Sequence, residues 1–116
     1  MEHFLSIADL TPDELQEYLN LALDLKEKWR NGGNRPLLKG KTLGLVFQKP
    51  SLRTRVSFEV GMNHLGGQAL YISPLEIQLG KRESVPDVAR VLSRYVDGIM
   101  ARVFGHPDMI LSLIHI

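Results

Sequence analysis

Apolar residues recur along the chain with two alternating spacings. Between Leu15 and Trp29 they return every three or four positions, which is the period of a helix with one apolar face. Residues 41–48 instead contain an unbroken run without polar side chains from Leu43 to Phe47, which is typical of a strand buried on both faces and predicts a strand over 41–48. The alternation continues to about residue 108, so the pattern predicts helix, strand, helix, strand, helix, strand and helix.

Local start and stop signals give the predicted elements their bounds. Thr11-Pro12-Asp13-Glu14 combines a capping threonine, a proline suited to the first helical position and an acid three residues after the cap. The first helix should therefore begin there, and Asn31-Gly32-Gly33-Asn34 should end it. We expect Trp29 to belong to the core. The later predictions are a helix over 53–65, a strand over 68–72, an exposed loop over 73–83, a helix over 84–95, a strand over 99–103 and a short helix starting at 105–108.

This order predicts an α/β fold, a parallel sheet flanked by helices. The length of 116 residues suits one modest core and is too short for two domains. Ligands of such sheets bind beyond the carboxyl ends of the strands. Candidate site residues are therefore sought where the predicted strands end.

Composition narrows the classes of partner. Fourteen Lys and Arg against thirteen Asp and Glu leave a net charge of +1, which does not suggest a nucleic-acid surface. No apolar run approaches the ~20 residues of a membrane helix, and the first residues lack the pattern of a secretory signal. The absence of cysteine excludes disulfides. We expect a cytoplasmic protein that binds neither nucleic acid nor membrane.

Cations and hydroxyls cluster directly after the first strand, in Ser51-Leu52-Arg53-Thr54-Arg55, with Lys49 just before. The first turn of the following helix offers unpaired N–H groups and the positive end of the helix dipole. The cluster therefore predicts an anion site. Neither the P-loop nor the dinucleotide-binding glycine motif is present. Arg102, near the end of the third strand, is either a second ligand or a structural ion-pair partner, and its spacing leaves both open.

The stretch Ser51–Arg55 resembles the Ser-x-Arg-Thr-Arg signature of the aspartate and ornithine carbamoyltransferase family. The resemblance covers nearly the whole chain to about His106, and it implies that residues 1–106 are an incomplete carbamoyl phosphate-binding domain of a carbamoyltransferase. The other matching positions are Phe58-Glu59, Leu65-Gly66-Gly67, Gln78-Leu79-Gly80, Glu83, Asp87, residues 89–97, Ile99 and Arg102.

The resemblance also implies roles for individual residues. The family transfers the carbamoyl group of carbamoyl phosphate to an amine, without a metal, a cofactor or a covalent nucleophile. Ser51, Arg53, Thr54 and the backbone N–H of Leu52 would bind the phosphate, and Arg102 would reach both the phosphate and the carbonyl oxygen. Thr54 and Arg102 are the implied catalytic residues.

Within the family, Gln78-Leu79-Gly80 and the run Val-Leu-Ser-Arg-Tyr at 91–95 favour the ornithine type, whose products are citrulline and phosphate. Gln78 would contact the carbamoyl phosphate of a neighbouring subunit, which implies a homotrimer. Lys81 keeps the aspartate type open, and putrescine or another acceptor also remains possible, as does a non-catalytic anion-binding module. Arg55 is implied to be an ion-pair partner that fixes the loop, and Lys49 a secondary charge. The resemblance does not distinguish a role in arginine biosynthesis from one in arginine catabolism.

Three departures from the family are visible. Leu52 replaces a threonine of the signature, and Arg82 replaces a glycine. His106-Pro107-Asp108-Met109 comes too early to be the His-Pro-x-Gln contact of the family and has Met109 where glutamine belongs. Family members run to more than twice this length, and their second domain carries the amino-acid site. We interpret residues 107–116 as a non-native or truncated tail, and we expect the 116-residue fragment to be inactive alone.

Overall fold

The structure is a computed structural model that describes residues 3–48, 51–73 and 85–103. The chain divides into two compact units, residues 1–34 and 35–116. Within the described ranges, no helix is both long enough and apolar enough to cross a membrane. The first unit contains a short 3-10 helix, Ile7–Asp9, and helix α1, Pro12–Arg30; the second contains β1 (Thr42–Phe47), α2 (Leu52–His64), β2 (Gln68–Ile72), α3 (Val85–Ser93) and β3 (Gly98–Arg102).

Each predicted element that falls on described residues is present, with ends that differ by one or two residues. The predicted last helix at 105–108 lies outside them. The start of α1 is confirmed in detail: the Glu14 N–H donates to Thr11 Oγ1 at 3.1 Å, and the Thr11 N–H donates to Glu14 Oε1 at 3.0 Å. The hydrogen bond from the Thr11 backbone, followed by that from its side chain, lowers the pKa of the Glu14 carboxyl.

The apolar face of α1 behaves differently from the prediction. No residue of α1 is buried, and Trp29 is 44% exposed, so the expected core position of Trp29 is wrong. Among the described residues of the first unit, a three-residue helix is the only other regular element. Periodicity identified an apolar face, but that unit offers too little structure to cover it.

The second unit is built on a three-stranded parallel sheet with the order β2-β1-β3. Central strand β1 is buried from Gly44 to Phe47, and the side chains of Leu45 and Phe47 are fully buried. This confirms the prediction of a parallel sheet with a strand covered on both faces. The remaining buried apolar residues among those described are Val46, Val88 and Ala89.

The strand register gathers one set of side chains on one face of the sheet. Leu45 pairs with Tyr71, and Phe47 pairs with Arg102. Paired residues of a parallel sheet project to the same face, and residues two apart on one strand do so too. Helix α2 lies on this face, because its Arg55 guanidinium stacks over the Tyr71 ring. The amino end of α2 and Arg102 therefore share one face and one end of the sheet.

Asp97 fixes the opposite end of the central strand. Its carboxylate accepts from the Thr42 N–H at 2.8 Å, and its own N–H donates to the Thr42 carbonyl at 2.9 Å. Lys41 Nζ lies 3.9 Å from the same carboxylate. These bonds precede β3 directly, so they help to set the register that brings Arg102 opposite Phe47.

Gly66 provides a test of how tightly the turn between α2 and β2 is built. Its φ is +85°, and a methyl group there would lie 2.7 Å from Pro36 Cβ. We expect Gly66→Ala to lower the free energy of unfolding by about 1–3 kcal/mol, because an alanine is strained at this φ and would also displace Pro36. Urea unfolding followed by circular dichroism measures the change.

Gly61→Ala is the matched control. Gly61 lies inside α2, and a methyl group there would meet no atom within 4 Å. Alanine is favoured over glycine inside a helix, so this variant should be as stable as the starting protein or more stable, by up to ~1 kcal/mol. Equal stability of Gly66→Ala and the unaltered chain would contradict the assigned packing.

Candidate anion-binding site

The amino end of α2 is left open for a ligand. Ser51 occupies the cap position in extended conformation, φ −158° and ψ 102°, but its side chain accepts no hydrogen bond from the helix. The first intrahelical bond runs from the Arg55 N–H to the Ser51 carbonyl at 3.1 Å. The N–H groups of Leu52, Arg53 and Thr54 therefore have no acceptor within their own helix. An anion with several oxygens is a suitable acceptor for them.

Ser51 instead joins a side-chain network centred on Thr54. Ser51 Oγ donates to Thr54 Oγ1 at 3.1 Å, and Arg102 Nη1 donates to the same oxygen at 3.1 Å. A hydroxyl oxygen has two lone pairs, and both are occupied here. A hydroxyl both accepts and donates, so Thr54 can also donate its own proton, and this makes it a candidate donor to a ligand.

Arg102 is a half-buried cation whose Nε is an unused buried donor. Its carbonyl accepts from the Gln48 N–H at 2.9 Å, which fixes its backbone beside the end of β1. Within the described residues, its buried Nε has no hydrogen-bond partner, and no carboxylate forms an ion pair with it. The structural ion pair considered from the sequence is therefore not formed in this part of the chain. A buried donor that carries charge requires an acceptor, and an anion would supply it.

Charges around the amino end of α2 also favour an anion. The first turn of α2 contains no acid. Among the described residues, Glu59 is the acid that forms an ion pair with a residue of this end of the helix. Its carboxylate accepts from Arg55 Nε at 3.0 Å. The ion pair expected for Arg55 is therefore present. The positive end of the helix dipole remains unneutralised by any first-turn side chain.

The structure brings together some of the predicted site residues and leaves others apart. Ser51, Thr54 and Arg102 form one hydrogen-bonded network. Arg53 and Leu52 lie on the same turn with exposed side chains, so Leu52, at 76% exposure, offers the site only its backbone N–H. Lys49 and Gln78, together with Lys81, Arg82 and residues 106–109, fall outside the described residues.

Sequence reasoning missed Tyr71. The centroid of its ring lies 3.9 Å from the Arg55 guanidinium carbon and 5.5 Å from the centroid of the Phe47 ring. The available signal was an aromatic residue near the carboxyl end of β2, where ligand sites of parallel sheets lie. Its partner Arg55 is sixteen residues earlier on another element, and no local pattern indicates that pairing.

The donor set can be compared with possible ligands. Backbone N–H groups, hydroxyls and arginine are donors, which suits phosphate or carboxylate oxygens. In the described ranges, no three or more His, Cys, Asp or Glu side chains are grouped so that they could hold a metal ion. The arrangement is that of an α/β domain with a candidate anion site at the carboxyl end of a parallel sheet.

The comparisons with known proteins identify the family. The family described as "Aspartate/ornithine carbamoyltransferase, carbamoyl-P binding domain" matches residues 2–115. The chain belongs to this family. The match agrees with the fold, with the anion-binding end of α2 and with the resemblance of the Ser51–Arg55 signature.

Individual relatives are longer than this chain. It is 54% identical over 105 residues to an ornithine carbamoyltransferase of Halalkalibacterium halodurans, which covers 90% of this chain and 33% of the relative. The solved ornithine carbamoyltransferase of Pyrococcus furiosus superimposes with a TM-score of 0.92 at 48% identity, over 98% of this chain and 36% of that one. The catalytic subunit of an aspartate transcarbamoylase from M. jannaschii superimposes with a TM-score of 0.89 at 35% identity, over 99% of this chain and 38% of that one. The chain thus spans about a third of the relatives that it matches.

The network around Thr54 generates the first test of the site. Thr54→Val keeps the shape but removes the acceptor for Arg102 and the donor for the ligand, so we expect the dissociation constant for inorganic phosphate to rise roughly tenfold. Thr54→Ser keeps the hydroxyl and should bind within about twofold of the unaltered chain. Isothermal titration calorimetry measures both.

Ser57→Ala is the control for this pair. The Ser57 hydroxyl donates to the Thr54 carbonyl at 2.8 Å and is on the same helix, but it takes no part in the side-chain network. Its loss should leave the phosphate affinity unchanged. If Thr54→Val bound phosphate as tightly as Thr54→Ser, the role given to the Thr54 hydroxyl would be wrong.

Proposed function

We propose that this chain is the carbamoyl phosphate-binding part of an ornithine carbamoyltransferase, which transfers the carbamoyl group of carbamoyl phosphate to L-ornithine and yields citrulline and phosphate. The observation that carries the proposal is the buried, unpaired Nε of Arg102 beside the Thr54 hydroxyl and the open end of α2. Membership of the carbamoyl phosphate-binding family gives the anion its chemical identity.

Carbamoyl phosphate suits the arrangement at both of its ends. Its phosphate would accept from the first-turn N–H groups of α2 and from Ser51 and Arg53. Arg102 would then donate hydrogen bonds from Nε and from its terminal nitrogens to the phosphate and to the carbonyl oxygen. Thr54, whose own lone pairs are occupied, would donate its proton to the ligand. All of these groups act as donors, so a ligand with two sets of acceptor oxygens satisfies them together.

The same donors would lower the barrier of the transfer. The amine nitrogen of the acceptor bonds to the carbonyl carbon, the bond from that carbon to the phosphate oxygen breaks, and the proton lost from nitrogen ends on the departing phosphate. Negative charge builds on the carbonyl oxygen before the phosphate leaves. Arg102 and Thr54, held in place before the reaction, would stabilise that charge at little cost in reorganisation.

The acceptor is assigned from the relatives. The curated proteins at 51–55% identity are named ornithine carbamoyltransferases, and this supports ornithine. The aspartate transcarbamoylase that superimposes on the chain supports a second candidate, carbamoyl transfer to aspartate. Assays of the longer protein with each amine separate the two: citrulline from ornithine supports the proposal, and product from aspartate alone would refute it.

Further parts of the proposal concern the assembled enzyme. Gln78 would reach the carbamoyl phosphate of a neighbouring subunit, in a cytoplasmic homotrimer that serves arginine biosynthesis or catabolism. The relatives are about three times as long as the matched region, and the acceptor site would belong to their remaining part. The 116-residue chain alone is therefore proposed to bind carbamoyl phosphate without turnover.

Arg102→Met tests the proposal on the 116-residue chain. The variant keeps an unbranched side chain but removes the charged donors, so we expect the affinity for carbamoyl phosphate to fall at least tenfold, which is the value of a lost hydrogen bond to a charged group. Binding is followed by ³¹P NMR or calorimetry. An assay for citrulline on the same sample should detect no product.

Arg94→Met provides the control for net charge. Arg94 is an exposed cation that follows α3, and its removal changes the charge of the chain by the same amount. It should leave the affinity nearly unchanged. Equal losses in Arg94→Met and Arg102→Met would indicate unspecific attraction, and an absence of binding by the unaltered chain would overturn the proposed function.

A further inference from the structure

We propose that Tyr71 is a positioning residue of this site: it holds the first turn of α2 in the orientation that binds the anion, through a stacking contact with Arg55, and touches no ligand itself. This inference rests on the proposed function, because it assigns an effect on carbamoyl phosphate affinity. It concerns a residue on β2, outside the signature stretch of α2.

The contact is well defined on the Tyr71 side. The Arg55 guanidinium carbon lies 3.9 Å from the centroid of the Tyr71 ring, which is within the range of a cation–π interaction. The Tyr71 ring is in turn tilted by 49° against the Phe47 ring at 5.5 Å. Phe47 is fully buried on the central strand. Tyr71 is thereby supported by the core, and Arg55 rests on a fixed ring.

Arg55 is also held on its other side. Its Nε donates to Glu59 Oε1 at 3.0 Å, one helical turn further along α2. The guanidinium therefore has a carboxylate at one edge and an aromatic face beneath it. Both partners restrict its direction, and Arg55 directly follows Thr54 in the chain. The orientation of the Thr54 turn thus depends on where Arg55 rests.

The apolar side chains around this turn are largely exposed. No residue of α2 is buried, and Leu52 and Val56, on either side of the turn, are 76% and 44% exposed. Within the described residues, the side-chain hydrogen bond that links the turn to the sheet is that from Arg102 to Thr54. A bound anion would draw on Arg102 as well. The contact of Arg55 with Tyr71 links the turn to the sheet without using a donor that the proposal assigns to the ligand.

The charge of Arg55 is already matched, so its contribution is geometric. Arg55 and Glu59 form a pair of opposite charge, while Arg102 has no acid partner among the described residues. A ligand anion would take the unmatched cation first. Replacing Tyr71 removes none of the three charged groups named above, Arg55, Glu59 and Arg102, so the cations that attract an anion are kept. A change in affinity on replacing Tyr71 would therefore report a change in the position of the first turn of α2.

The experiment compares three variants of β2 in the 116-residue chain by calorimetric titration with carbamoyl phosphate. Tyr71→Met keeps the apolar volume but removes the ring, and we expect roughly three- to fivefold weaker binding, the effect of a lost partly exposed cation–π contact. Tyr71→Phe keeps the ring and should restore the original affinity. Leu70→Ala, an exposed position on the other face of the same strand, should have no effect.

Arg55→Met and the double variant Arg55→Met/Tyr71→Met complete the cycle. Arg55→Met should weaken binding at least as much as Tyr71→Met, and the second substitution should then add nothing. The loss in Arg55→Met should persist at about 1 M salt, where a loss of long-range attraction would be screened. This salt comparison decides the matter if Tyr71→Met does not fold.

The outcomes separate this inference from the proposed function. If the unaltered chain binds carbamoyl phosphate and Tyr71→Met binds it equally well, the inference is wrong and the proposed function stands. Additive effects of the two substitutions, or an Arg55→Met loss that vanishes in salt, would also overturn it. If the unaltered chain does not bind carbamoyl phosphate at all, both the inference about Tyr71 and the proposed function are wrong.

Discussion

The parallel pairing of β3 with β1 is the constraint on which the site depends. It places Arg102 beside Phe47, at the end of the most deeply buried strand, and on the face of the sheet that carries α2. Bonds from Asp97 to Thr42 help to hold the register at the other end of the strands. A shift of one residue would turn Arg102 to the opposite face and leave Thr54 without it. Backbone hydrogen bonds therefore determine where the charge of Arg102 lies.

The two long helices use their amino ends differently. Thr11 satisfies N–H groups of α1 through a capping box, whereas Ser51 leaves the corresponding groups of α2 unpaired and bonds to Thr54. Capping by a side chain is worth about 1 kcal/mol to a helix. The end of α2 lacks that stabilisation from a side chain, and the proposed anion would supply it. Departures from the best local structure are expected where a ligand completes the arrangement.

Sequence reasoning succeeded where the relevant contacts are local. The start of α1 depends on four adjacent residues, and the buried strand β1 depends on six, so both were predictable. The anion site was predictable in its location, because charge, hydroxyls and a helix start coincide at Ser51–Arg55. Family resemblance then suggested the chemical nature of the anion, and the family that matches the chain is described as a carbamoyl-P binding domain.

Contacts between distant elements were not predictable in the same way. The hydrogen bond from Arg102 to Thr54 spans 48 positions. The lack of an acid partner for Arg102 among the described residues also depends on which elements the sheet brings next to it. The stacking of Arg55 on Tyr71 likewise requires the packing of α2 against β2. Trp29 shows the reverse case, a burial that was predicted and is not observed. An apolar face on α1 indicates a tendency to be buried but does not provide the partner that buries it.

The most direct test of the account is an NMR titration of the ¹⁵N-labelled chain with carbamoyl phosphate. We expect the resonances of the side-chain Nε–H of Arg102 and of the backbone N–H groups of Arg53 and Thr54 to shift together and to saturate at one ligand concentration, because all three would donate to the same anion. Shifts confined to other parts of the chain, with these three resonances unmoved, would contradict the central claim that β3 and α2 converge on one ligand.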